Sequence, residues 1–417
     1  MDARARSVGL VADLSEAQRR VPYLATVNPF VWELCHLAYF HELWVLRDGT
    51  GQAPVRADAD ALFDSTTIGH ETRWRLPVPA WEEALAYVEE VRDRVLGLID
   101  AGRAEGRLAY LMRYAVLHED MHTEALTYTR QTLGLPAPSW CGERECGEPA
   151  TSESAGGDVC LAGGVLELGA ARDVAFCFDN EKWAHPVRFE SFAIARHAVS
   201  EGEFADFVRD GGYERSELWS PEGWAWRQAE SAEMPLYWRR TAGGEFERRH
   251  FDSWVPLERG RALSHVCWYE AHAYCAWAGR RLPTEVEWEA AAAWDASASA
   301  KRTHPWGEDA PSAARANLDW HYGGPIDVAA LGEGDSALGC RQMIGNVWEW
   351  TASTFAPYPG FEPDMYEDYS TTSFHTRKVL RGGSWATRSR MMRNTWRNYF
   401  QAGRRDVFAG FRTCALR

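Results

Sequence analysis

His118 and His122 stand four residues apart in Leu117-His118-Glu119-Asp120-Met121-His122-Thr123-Glu124. On a helix, residues i and i+4 share a face, so both imidazoles can point at one metal ion. The plainer alternative is a pair of core histidines satisfied by hydrogen bonds. His118-Glu119-Asp120-Met121-His122 also satisfies the His-Glu-x-x-His pattern of zinc peptidases, in which two histidines bind zinc and the glutamate is the general base. Nothing nearby supplies a third ligand of that type. A better third ligand is His36, another histidine on an apolar stripe, with His41 and His70 as competitors in the same half of the chain. Three neutral imidazoles would hold a divalent ion on one side and leave its other positions open to substrate and dioxygen.

These side chains must be positioned by helices. The pair lies in a helical stretch over about 107–133, in which Leu111, Ala115, His118, His122, Ala125, Thr129 and Leu133 recur at steps of three or four. Gly134 and Pro136 stop it. Asn28-Pro29 reads as a cap followed by proline at the first helical position, opening a helix to about Arg47 with Trp32, His36, Phe40 and Leu43 on one face. A helix over 81–101 turns Leu85, Val88, Val91, Val95 and Leu98 inward, and residues 1–20 read as a short charged helix. Residues 48–79 read as irregular. Four helices with inward histidines on two of them predict a bundle with a metal site in its core, over residues 1–140.

The stretch 141–160, rich in glycine, proline and serine, reads as a linker. Over 161–417 the chain changes character. Short strand-like runs (Gly163-Val165-Leu166-Leu168; Phe189-Phe192-Ile194) precede amphipathic helices at about 200–210 and 268–279. Regular structure is expected to cover little of 210–260 and 295–375, and long loops of this kind often carry function. The fold class is α+β.

Composition bounds the partners. Of 417 residues, 46% are hydrophobic and 25% charged, with a formal net charge of −15. No basic run interleaves with aromatics, which excludes a nucleic-acid footprint. No eighteen-residue apolar stretch predicts a membrane span, and Met-Asp-Ala-Arg-Ala-Arg-Ser has no apolar segment behind its charges. Nine scattered cysteines without a Cys-x-x-Cys pair fit reduced thiols in a cytoplasmic protein. Cys141 and Cys146 could form a zinc or redox pair.

Several motifs carry a family resemblance. Asn28-Pro29…Trp32-Glu33-Leu34-Cys35-His36-Leu37-Ala38-Tyr39-Phe40 and His118-x-x-x-His122-x-Glu124-Ala125-Leu126 resemble the two histidine motifs of the ergothioneine-biosynthesis sulfoxide synthases. Asp179-Asn180-Glu181…His185-Pro186-Val187, Val266 to Glu289, Gly345-Asn346-Val347-Trp348-Glu349-Trp350-Thr351, Leu380-Arg381-Gly382-Gly383-Ser384-Trp385 and Arg397-Asn398-Tyr399-Phe400…Ala409-Gly410-Phe411-Arg412 resemble their second domain. The resemblance covers nearly the whole chain. It implies a DinB-like four-helix bundle followed by a C-type-lectin-like, formylglycine-generating-enzyme-like domain. Formylglycine generation itself is not expected, because Arg393-Asn394-Thr395-Trp396-Arg397-Asn398 lacks the cysteines that activity uses.

What the resemblance implies is iron(II) on His36, His118 and His122. It further implies hercynine, an N-trimethylated histidine, as substrate, and O2-driven bonding of a chalcogen donor to imidazole C2. Aromatic faces would hold the quaternary ammonium, and Asn398 matches the family's asparagine near the hercynine carboxylate. Phe400, Arg404 and Trp396 are expected with it in the substrate pocket. Two positions depart from the users of γ-glutamylcysteine: Met121 replaces a glutamine and Phe400 an acidic residue. Asp60-Ala61-Leu62-Phe63-Asp64-Ser65…His70-Glu71-Thr72-Arg73-Trp74 looks most like the selenoneine synthases, which join hercynine to a selenosugar. Asp64, Ser65, Arg73 and Arg75 are then expected to line the donor pocket. The resemblance thus points to carbon–selenium bond formation, with carbon–sulfur bond formation as the alternative. Outside the class stand a zinc-dependent hydrolase or thiol transferase and a metal-free binding module. A structural calcium is a further expectation, at Asn317, Asn346 and nearby carbonyls.

Overall fold

The computed structural model describes residues 1–141 and 156–416. The chain forms two compact units, Met1–Ser139 and Trp140–Arg417. Cys146 and most of the stretch read as a linker lie outside the described residues; a strand already begins at Asp158.

In the first unit, α1 (Asp2–Ala12) is followed by the short α2 (Glu16–Arg19). The charged segment expected as one helix is thus two, because Ser15 caps a new turn with a reciprocal bond to Gln18. Next come α3 (Phe30–His41), the short α4 (Ala59–Phe63), α5 (Trp81–Asp100) and α6 (Gly106–Leu133). The bundle consists of α1, α3, α5 and α6, with α6 packed on α1 and α3, and α3 on α5. Pro29, not Asn28, takes the cap position of α3; the Asn28 side chain instead accepts a hydrogen bond from Arg73. Past His41 the helix widens into a π-type spiral over Glu42–Asp48. Helix α6 ends as expected at Gly134, whose φ of 63° suits a left-handed cap that no Cβ disfavours. Its burial exceeds one stripe: Leu117, Glu119, Asp120, Thr123 and Thr127 are buried together with Leu111, Ala115 and His118. It is a central helix, enclosed on several faces. Helix α4 was not expected, since five residues are too few to show a period.

In the second unit, β1 (Asp158–Leu161), β4 (Phe192–Ala195), β15 (Cys414–Ala415) and β8 (Arg280–Arg281) form one sheet in that order. A second sheet runs β13 (Asn398–Phe400), β12 (Lys378–Arg381), β11 (Trp348–Thr354), β14 (Ala409–Gly410), with β14 parallel to β11. Strands β2 (Gly164–Leu168) and β3 (His185–Phe189) make a hairpin. Helices α7 (Glu201–Arg209), capped by Ser200, and α9 (Trp268–Trp277) occur where expected. Sequence reasoning missed α8 (Pro221–Ala229), α10 (Glu285–Ala293) and the three-stranded sheet of β5 (Trp238–Arg240), β6 (Phe246–His250) and β7 (Ser253–Pro256). The region 210–260 is therefore more regular than its composition suggested.

The charged residues of the motifs in this unit serve the core. Arg381 and Arg397 are buried against Glu285, and Arg381 also against Glu289 of α10. Arg412 pairs with Glu349, which also accepts the Trp288 indole N–H at 2.8 Å. Buried arginines need such partners, because an unpaired buried charge is costly. Gly382, at φ 96°, leaves room for the Met343 carbonyl, which a Cβ would meet at 2.6 Å. No described helix is long and apolar enough to cross a membrane.

Candidate metal centre

Helix α3 delivers His36, and α6 delivers His118 and His122. Each offers one ring nitrogen, and these three atoms lie within 4.8 Å of one another. It is the only such cluster of three or more His, Cys, Asp or Glu among the described residues. His36 and His118 are buried at 3% exposure each, while the His122 side chain keeps 21%. The cluster is therefore buried at His36 and His118 and partly exposed at His122. Burial drives the His36 pKa down to about 3 and that of His118 well below the ordinary imidazole value. Both are neutral near pH 7, the form a metal requires.

Each imidazole is held from behind. His36 Nδ1 donates to the Phe63 carbonyl at 2.9 Å, which leaves Nε2 as its ligand atom. Its ring stacks on Trp32, 5.0 Å between centroids and 6° apart in tilt, and the Trp32 indole donates to the Leu62 carbonyl at 2.8 Å. Leu62 and Phe63 end α4, and the last carbonyls of a helix lack partners within it. Two ring N–H groups of α3 satisfy them. Helix α4 is itself pinned by Asp60, which takes a two-pronged bond from Arg47 and the Tyr39 hydroxyl at 2.9 Å. His122 Nδ1 donates to Glu33 Oε1 at 2.8 Å. His118 stacks on Phe40, 3.8 Å between centroids. Partners of this kind set tautomer and ring orientation in metal sites. Glu33 and the two α4 carbonyls were not foreseen. The available signal was a lone charge inside the apolar run Trp32–Tyr39.

The competing third ligands point elsewhere. His41 Nε2 is 3.0 Å from Glu119 Oε2, and His70 Nε2 is 2.7 Å from the Val27 carbonyl. Glu119 faces α1, not the cluster. It pairs with Arg4 at 2.9 Å and accepts from the Ser7 hydroxyl. Burial would raise its pKa, but Arg4 and His41 overcome that and hold it at about 2. A carboxylate so occupied is no base for a metal-bound water, which corrects the peptidase reading of the motif.

Other expected site residues fare unevenly. The Arg73 guanidinium lies 4.1 Å over the Trp32 ring and donates to Asn28 at 2.8 Å, so it backs the His36–Trp32 stack. Arg75 forms an exposed i,i+4 pair with Glu71. The Asp64 carboxylate closes a turn by accepting the Thr66 N–H and hydroxyl at 2.9 and 2.7 Å. Ser65 is half-buried beside it, and Met121 is half-buried on α6 between the two histidines. In the second unit Trp396 is a core side chain, 3% exposed, edge-on to Trp348 at 5.0 Å. Asn398 accepts the Tyr399 N–H at 2.8 Å. The Phe400 ring lies under the Arg404 guanidinium at 4.9 Å, and Arg404 grips Asp406 with two bonds. Asn317 and Asn346, named for the calcium expectation, lie side by side, and Asn317 Oδ1 is buried without a hydrogen-bond partner among the described residues. Asn346 Oδ1 accepts the Asn317 amide and the Ile326 N–H, and Asn346 Nδ2 donates to Gln342 and the Ile326 carbonyl, so these amides stitch loops together.

Comparison with known proteins bears on both units. Residues 144–416 match the model of the sulfatase-modifying factor enzyme 1-like domain, and residues 2–127 that of the DinB superfamily. The hercynine oxygenase of Mycolicibacterium smegmatis is 38% identical over 98% of this chain and 96% of its own. That of Mycobacterium tuberculosis is 38% identical with the same coverage. The formylglycine-generating enzyme of Streptomyces coelicolor is 29% identical over 61% of this chain and 86% of its own.

Proposed function

The chain belongs to the hercynine oxygenase family, and we propose that it joins a sulfur donor to the imidazole C2 of hercynine in an iron(II)- and O2-dependent reaction. The observation that carries this reading is the end-to-end likeness to two hercynine oxygenases in a chain whose described residues bring His36, His118 and His122 together. The family is enzymatic, and the chain is an oxidoreductase of this kind.

The three imidazoles fit a resident divalent metal. Their Nδ1 partners at His36 and His122 leave Nε2 free to bind, and imidazole suits iron as well as zinc. When bound, iron would activate dioxygen and bring both reactants within one coordination sphere. The protein's own residues hold His36 and His118 neutral, fix the tautomers of His36 and His122 and leave His122 partly exposed. In balance, hercynine C2–H, a thiol R–SH and O2 give a C2–S(=O)–R sulfoxide and one water; the S–H and C–H bonds are oxidised and both oxygen atoms are accounted for. We assign substrate contacts to Asn398, Phe400 and Arg404, half-buried side chains on β13 and the turn after it.

One observation favours a second donor. At position 400 a phenyl ring capped by Arg404 stands where relatives using γ-glutamylcysteine carry an acid, and Met121 stands where they carry glutamine. An apolar surface opposite a charged donor group would leave that group unsatisfied. A selenosugar donor, giving a C2–Se bond, is the reading these two residues support. The deciding experiment supplies hercynine, iron(II) and air with γ-glutamylcysteine, cysteine and a selenosugar in competition, and identifies products by mass. A hercynyl sulfoxide is the expected product. A selenium adduct alone would move the chain to the second reading, and no adduct of either kind with iron-loaded protein would sink both.

A further inference from the structure

We propose that Glu33 is a positioning residue of this centre, setting both the tautomer and the electron richness of His122. The inference rests on the reading of His36, His118 and His122 as ligands of one metal. Glu33 lies three residues before His36, so α3 supplies one ligand directly and the outer partner of another. Its side chain is 1% exposed, and Oε1 lies 2.8 Å from His122 Nδ1. A carboxylate in that setting is kept only with a donor in place, and the donor is the ring it orients.

His36 and His122 are thereby made unequal. His36 gives its Nδ1 proton to a peptide carbonyl, a neutral acceptor. His118 presents its face to Phe40. Behind His122, by contrast, the structure places an acidic side chain hydrogen-bonded to the ring. A carboxylate in that position raises ligand basicity, strengthens metal binding and favours the more highly charged oxidation state. The alternative is that Glu33 merely ties α3 to α6.

Glu33→Gln separates the two, because the amide oxygen still accepts the Nδ1 proton while the charge is gone; Glu33→Leu removes both. Three measurements read the outcome. In the metal-free protein, imidazole nitrogen NMR should show His122 protonated at Nδ1 in the wild type and in E33Q, with that preference lost in E33L. Iron(II) affinity of E33Q should fall on the order of 10- to 100-fold. Its Fe(III)/Fe(II) midpoint potential should rise. Wild-type affinity and potential in E33Q would overturn the proposal, as would a wild-type His122 protonated at Nε2. A parallel His36→Ala titration tells the two failures apart. Full metal binding by H36A means that the three-histidine reading has failed. Loss of metal in H36A beside an unchanged E33Q means that only the role of Glu33 has. None of these readouts needs hercynine turnover.

Discussion

The Phe63 carbonyl oxygen lies 2.9 Å from His36 Nδ1, so the C-terminal turn of a five-residue helix decides which nitrogen of His36 is free. Asp60 ties that helix to Arg47 and Tyr39. Asp60→Ala should therefore act on the metal centre more than on the fold. The Asp60 side chain is 58% exposed, and exposed pairs contribute about 1 kcal/mol or less. Iron(II) or cobalt(II) affinity should fall several-fold, while the melting temperature moves by a few degrees at most. Unchanged affinity would show that α4 does not control His36.

His36→Ala, His118→Ala and His122→Ala should each abolish stoichiometric metal, whereas His70→Ala should keep it, because His70 is engaged with the Val27 carbonyl. Metal analysis of anaerobically purified protein and the visible spectrum of the cobalt(II) form check this. Stoichiometric zinc with no activation by iron would count against the oxygenase reading.

Glu119→Ala should destabilise the protein strongly without removing the metal. It would leave the buried Arg4 guanidinium and His41 without their anion, a change on the order of 3–5 kcal/mol. Urea unfolding gives the stability and metal analysis the occupancy. Lost catalysis with intact stability and metal would return Glu119 to the chemistry.

Asp179 supplies a pH dependence. Its carboxyl is fully buried, and desolvation pushes its pKa from 3.8 up to about 6, against the pull of the Ser370 hydroxyl that donates to it. The folded value exceeds the unfolded one, so its contribution is fully present below pH 3.8 and is lost as pH rises through 6. Near pH 8 the ionised form costs roughly 2–3 kcal/mol. Asp179→Asn should melt higher than wild type at pH 8, with the difference vanishing toward pH 4. An Asn variant less stable at pH 8 would show that a partner holds the carboxylate ionised.

Much of the first unit was legible in residue order. Helix α6, its glycine stop and the α3 face bearing Trp32, His36 and Phe40 follow from apolar spacing, which records burial at helical period. The motifs of the second unit were legible as a family pattern, but not their physical role. Glu285, Glu289 and Glu349 come together with Arg381, Arg397 and Arg412 from segments roughly 60 to 110 residues apart, and no local period records that. Helix α4 and the strands β5–β7 escaped because they are short.

By itself the sequence determined that two histidines share a helical face and that a third belongs with them. It left His36, His41 and His70 as rivals, because each lies in the same half of the chain and periodicity cannot say which helices meet. Tertiary packing decided that question. With α6 packed on α1 and α3, Glu119 turns to Arg4 and takes His41 with it, while the adjacent face brings His118 and His122 to His36. It also decided what each ring leans on, since a carbonyl from α4 and a carboxylate from α3 reach these nitrogens only once the helices are packed.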